Sequence, residues 1–124
     1  MVVFTPMWRI ICISCCLLAA TESQAALNPQ SQDEVGKLLA FVENSGCSFI
    51  RNGSAYDGKE ARMHLQQKLD YLENKGLVSS SEDFIQRAAT GSSISGKPYS
   101  VDCKGQQQPS ADWLNGELQR IRKP

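Results

Sequence analysis

The sequence predicts a mainly α protein with a small β element (α+β): about four short helices and one hairpin or small sheet, stapled by one disulfide. Three observations lead there. Four runs of the chain carry apolar residues at helical spacing between recognisable start and stop residues. Asn52-Gly53 sits between two short β-prone runs, and that pair suits a tight hairpin turn. Residues 1–25 read as an export signal, after which Cys47 and Cys103 are the only cysteines left and are predicted to pair in an oxidising compartment.

The signal rests on Arg9, the lone positive charge of a short leading region, followed by the eleven-residue stretch Ile10 to Ala20, apolar apart from Ser14. That stretch is too short for a bilayer span, which needs roughly 20 apolar residues. Ser23-Gln24-Ala25 places small residues where a signal peptidase reads, so cleavage is predicted after Ala25, leaving a single small globular domain over 26–124. Acylation of Cys15 or Cys16 is the alternative, and each misses the lipoprotein motif by one position.

Along the mature chain, Ser31 and Glu34 have capping-box spacing. Val35, Leu38, Leu39 and Val42 then share a helical face and Gly46 is placed as a stop, which predicts a helix from about Gln32 to Ser45. The run from Cys47 to Tyr56 holds the Asn-Gly hairpin. Asp57 and Glu60 repeat the cap spacing before the stripe Ala61, Leu65, Leu69 and Leu72, which predicts a second helix over about Gly58 to Lys75. A shorter helix starts at Ser80 or Ser81 and carries Phe84, Ile85, Ala88 and Ala89. Between Gly91 and Ser110 the chain is least regular, with one possible strand at Tyr99 to Cys103 and a polar turn from Lys104 to Pro109. Ser110 is predicted to cap the last helix, in which Ala111, Leu114, Leu118 and Ile121 face one way and Trp113 flanks them.

Charge narrows the functional classes. Without its signal the chain carries 12 basic and 12 acidic residues. Nucleic-acid affinity comes mainly from neutralising phosphates, so a neutral chain lacking a basic stripe argues against that partner. No Lys/Arg block favours a membrane surface, and no transmembrane span is predicted in the mature chain.

Candidate chemistry is sparse. His64 is the only histidine and lies with Lys68 and Tyr71 beside the stripe of the second helix. A metal site needs three or four ligands, so His64 reads as a core-edge residue, and neither a metal nor another cofactor is predicted. Cys47 could act as a nucleophile with His64 as base only if it were free, and there is no CxxC spacing or GxSxG elbow. Asn52-Gly53-Ser54 matches a glycosylation acceptor, but the turn explains it better. The Ser/Gly-rich stretch Gly91 to Tyr99 is the one segment odd enough to suggest a ligand. Small residues let backbone N–H groups converge on an anion, Lys97 adds charge and Tyr99 offers a stacking face. Serine and glycine are also the usual residues of plain turns, and both alternatives stand.

Several phrases together carry a family resemblance. The run Leu39-Ala40-Phe41-Val42-Glu43-Asn44-Ser45-Gly46-Cys47-Ser48-Phe49-Ile50-Arg51-Asn52-Gly53, the helix start Glu82-Asp83-Phe84-Ile85, the phrase Ser92-Ser93-Ile94-Ser95-Gly96-Lys97-Pro98-Tyr99 with Cys103, and Ser110-Ala111-Asp112-Trp113-Leu114 resemble the YfeK-like family of small exported bacterial proteins. The resemblance covers nearly the whole mature chain. It implies a Gram-negative periplasmic location and supplies no catalytic residues, the family being of unknown function. The expectation is therefore a non-catalytic binding or accessory module of the cell envelope, recognising a protein, a peptide or a polar ligand. The alternative is a small secreted hydrolase or hydrolase inhibitor.

Overall fold

The computed structural model describes residues 26–124; the export signal, its cleavage after Ala25 and the alternative acylation of Cys15 or Cys16 lie outside the described residues. The elements run α1 (Pro29–Asn44), β1 (Ser48–Arg51), β2 (Ser54–Tyr56), α2 (Gly58–Asn74), α3 (Ser81–Ala88), β3 (Ser100–Cys103), β4 (Gln106–Pro109) and α4 (Ser110–Arg122). The strands form one antiparallel sheet in the order β2-β1-β3-β4. The α+β class with four helices, and the Cys47–Cys103 bridge, are as the sequence predicts.

α1 begins earlier than the capping-box spacing implies. Asn28 is the cap: its side-chain oxygen accepts from the Ser31 N–H at 2.8 Å, and Pro29 opens the helix at a position where an N–H is not needed. Ser31 and Glu34 therefore do not form a capping box. Both are buried, and Glu34 reaches across the core, where it accepts from Ser81 Oγ at 2.8 Å and from Arg122 at 2.8 and 2.9 Å. The Arg122 guanidinium, helped by Ser81, outweighs the effect of burial and holds the Glu34 carboxyl down to about 2 from an ordinary 4.5. Gly46 does end the segment, with a φ of 70°.

α2 follows its local signals closely. Asp57 accepts from the Glu60 N–H at 2.8 Å, and Ala61, Leu65 and Leu69 are buried. Its first residue, Gly58, lies against α1 so tightly that a Cβ there would sit 2.5 Å from the backbone oxygens of Val42 and Glu43. α3 is capped by Ser80, which accepts from Asp83 N–H at 3.0 Å, and buries Phe84, Ile85 and Ala88. The core is closed by Leu38, Val42, Leu114 and Leu118, with Trp113 half-buried at its edge, 4.7 Å ring to ring from Phe41.

Two sequence expectations fail around the sheet. Gln106 to Pro109 is a strand, not part of a polar turn: only Lys104 and Gly105, with φ of 54° and 84°, make the turn, so β3 and β4 are a second hairpin. β4 is exposed along its length, which removes the alternation that marks a strand, and its edge position accommodates Pro109. Ser110 does not cap α4. It is the first helical residue, its N–H donates to the Tyr99 carbonyl at 2.9 Å, and its buried Oγ has no partner among the described residues. The chain enters α4 directly from a strand, so the cap position falls on Pro109, which has no side-chain acceptor. Among the described residues no helix is long and apolar enough to cross a membrane.

Candidate functional site

The hairpin turn forms as the Asn-Gly pair predicts. Arg51 pairs with Ser54, and Asn52 and Gly53 bridge them with φ of 49° and 78°, the left-handed pair that matches strand twist. This turn is also a clamp. Asn52 Nδ2 donates to Ser92 Oγ at 3.3 Å, and Asn52 Oδ1 accepts from Ser95 Oγ at 2.6 Å. The hairpin tip thus grips the Ser/Gly-rich loop some forty residues further along the chain.

That loop closes on itself. Gly91 and Pro98 form a bridge, Ser92 N–H donates to Lys97 O and Gly96 N–H to Ser92 O. The N–H groups of Ile94 and Ser95 donate to Ser92 Oγ, and that of Lys97 to Ser95 Oγ. Most of the backbone donors that the sequence suggested for an anion, those of Ser92, Ile94, Ser95, Gly96 and Lys97, are consumed inside the loop. Small residues here serve the turn.

The two side chains singled out in this segment separate. Tyr99 is 4% exposed and packs its ring 5.6 Å from that of Phe49, so it presents a floor, not a free stacking face. Lys97 is exposed on the outside of the loop and does not line the cleft described next. Cys47 and Cys103 are joined, so Cys47 offers no thiolate to His64.

A cleft of about 400 Å³ opens between the hairpin, α2 and this loop. Phe49 and Tyr99 make its floor; Tyr56 and His64, edge to face at 4.8 Å, make one wall; Ser92, Ser93 and Ile94 make the other. Lys68 comes from α2, one turn after His64. Its Nζ donates to Gly91 O at 2.6 Å and to Tyr99 OH at 3.2 Å, and lies 4.9 Å from the Tyr99 ring centre. Arg51 enters from β1, with its guanidinium 6.0 Å from the centre of the Tyr56 ring. Among the described residues no Asp or Glu lines the cleft.

His64 and Lys68 stood out in the sequence, but only as neighbours of an apolar stripe. Tyr71, grouped with them there, is 61% exposed and lies outside the cleft. Arg51 and Tyr56 carried a usable signal that pattern reading passed over. Strand alternation puts Phe49 and Arg51 on one face, so a buried Phe49 implies an inward Arg51, and the Arg51–Ser54 register makes Tyr56 its diagonal neighbour.

Residues 29–122 match the model of a family of unknown function, DUF5329. Over 94 residues the chain is 34% identical to the "Uncharacterized protein YfeK" of Salmonella typhimurium, covering 75% of this chain and 77% of that protein. No solved structure matches.

Proposed function

Because the chain belongs to the DUF5329 family, a family of unknown function, its role has to be argued from its own site, and we propose that it is an exported, non-catalytic binding module of the cell envelope. Export is supported by the signal-like pattern of residues 1–25 and by the Cys47–Cys103 bridge, which persists in an oxidising compartment such as the periplasm. On this proposal residues 26–124 are the mature single domain.

The observation that carries the binding role is the cleft itself, walled by a loop that is fixed from two sides. Asn52 holds Ser92 and Ser95, while Lys68 holds Gly91 and Tyr99. A pre-ordered loop on a bridged scaffold spends little conformational entropy on capturing a partner. Tyr99 contributes the floor, and Lys97, outside on the same loop, supplies charge to a partner larger than the cleft.

Intact-mass analysis of the protein recovered from the periplasm tests export: the chain should begin at Ala26 and be two hydrogens lighter than its reduced form. Capture from the same envelope by tagged protein tests binding. Arg51→Gln should lose what the unaltered protein retains, and Lys97→Ala should weaken it. A retained set that neither substitution changes overturns the binding role.

A further inference from the structure

Arg51 is the anomaly of the cleft. Arg62, Arg120 and Arg122 each have a carboxylate partner, Glu43, Glu117 and Glu34 respectively. Arg51 is half-buried as a residue and lines the cleft with His64 and Lys68 of α2, yet its guanidinium makes no hydrogen bond and no ion pair among the described residues. A guanidinium left in a cleft without a carboxylate partner keeps its planar donors open, and a bound anion would complement them. Lys68 adds a second cation. Two of its three N–H donors are held by Gly91 and Tyr99, leaving one.

The kind of anion follows from what else is offered. Phosphate sites draw on several backbone N–H groups or a cluster of cations, and most of the loop's backbone donors are already spent within it, the Ser93 N–H being the one beside the cleft without an acceptor among the described residues. The charged donors on offer are one planar guanidinium fork and one ammonium N–H, a set that matches the two oxygens of a carboxylate. Beside them stand the rings of Phe49, Tyr56 and Tyr99, and the volume of about 400 Å³ suits a small molecule or one or two residues of a chain end.

Resting on the binding role proposed above, we infer that the cleft takes a carboxylate carried on an aromatic body, its two oxygens on Arg51 and its ring against Tyr56 and the Phe49–Tyr99 floor. Such a group occurs on a free aromatic acid and on a chain that ends in an aromatic residue.

The test is a nitrogen–proton NMR titration of the processed, disulfide-bonded protein with phenylacetate and with a short peptide ending in a free Phe carboxylate. Phenylacetamide, the amidated peptide, acetate and inorganic phosphate are the comparison probes. At least one of the two aromatic carboxylates should shift the Arg51 side-chain N–H and the Tyr56 and Ser93 amides saturably. Its neutral amide should bind about tenfold more weakly or worse, the scale of one charge-assisted pair. Arg51→Gln should weaken the carboxylate by a similar factor and leave the amide where it was. Tighter binding of phenylacetate assigns a free acid, and tighter binding of the peptide assigns a chain terminus. Equal affinity for acid and amide, phosphate or acetate binding as tightly as the aromatic acid, or no saturable shift with any probe overturns the ligand class. The binding role fails separately, through an envelope capture that neither Arg51→Gln nor Lys97→Ala changes.

Discussion

Arg122, in the last turn of α4, grips Glu34 of α1 with two hydrogen bonds of 2.8 and 2.9 Å, closing the helical layer across 88 residues of sequence. The same guanidinium reaches Glu82 of α3 at 2.7 Å, so one side chain ties three helices. Glu34 is 6% exposed at its side chain and Arg122 34%, which places the pair well short of a freely solvated surface bridge.

Arg122→Ala should therefore destabilise the fold by about 2–3 kcal/mol, because it strands a buried carboxylate, less than a fully buried pair since Arg122 is partly solvated. The pH dependence has a definite sign. The Glu34 pKa is depressed in the folded protein, so its contribution is complete above the ordinary value of 4.5 and falls away as the pH drops toward about 2. Denaturant melts at descending pH should show that loss in the unaltered protein, and Glu34→Gln should flatten it.

Ser110→Ala should leave stability unchanged or raise it by up to about 1 kcal/mol, since the hydroxyl is buried without a partner among the described residues and its removal relieves an unmet desolvation. Were Ser110 the cap of α4, the same change would lower stability by about 1 kcal/mol. A urea melt separates the two.

Gly58→Ala reverses the usual rule that alanine favours a helix. Its Cβ would meet the Val42 and Glu43 carbonyl oxygens at 2.5 Å, and neither backbone group can yield without moving α1. A loss of about 1–3 kcal/mol is expected from such overpacking, measurable by thermal melting.

Asn52→Gly keeps the left-handed turn but deletes both bonds to the loop. Hydrogen exchange should then accelerate at the Ile94 and Ser95 amides, which depend on Ser92 Oγ, while the β1 and β3 amides stay protected. Unchanged exchange at Ile94 and Ser95 would show that the loop holds itself without the hairpin.

Replacing Cys47 and Cys103 together by Ser should lower stability by about 2–5 kcal/mol, the range for a native bridge in a small domain. The bridge spans 56 residues and links the residue just before β1 to the end of β3. A denaturant melt matching that of the unaltered protein would show that the core suffices alone.

What the sequence determined by itself is what neighbouring residues control. Asp57 and Ser80 cap their helices because a side-chain oxygen three residues from an amide reaches it wherever the helix lies. Asn52-Gly53 turns the chain because the pair tolerates positive φ, and the Ala61, Leu65, Leu69 stripe marks a buried face by periodicity alone. Tertiary structure decided the rest. β4 has no buried face, so its strand character exists only through pairing with β3. Glu34 looks like the second half of a cap until Arg122 arrives from the far end of the chain, and Ser110 looks like a cap until β4 feeds straight into α4. The cleft likewise draws Arg51 from a strand, Lys68 from a helix and Ser92 from a loop. Each has an ordinary local explanation, and only packing reveals that their charges and rings share one space, because long-range proximity leaves no mark on the spacing of neighbours.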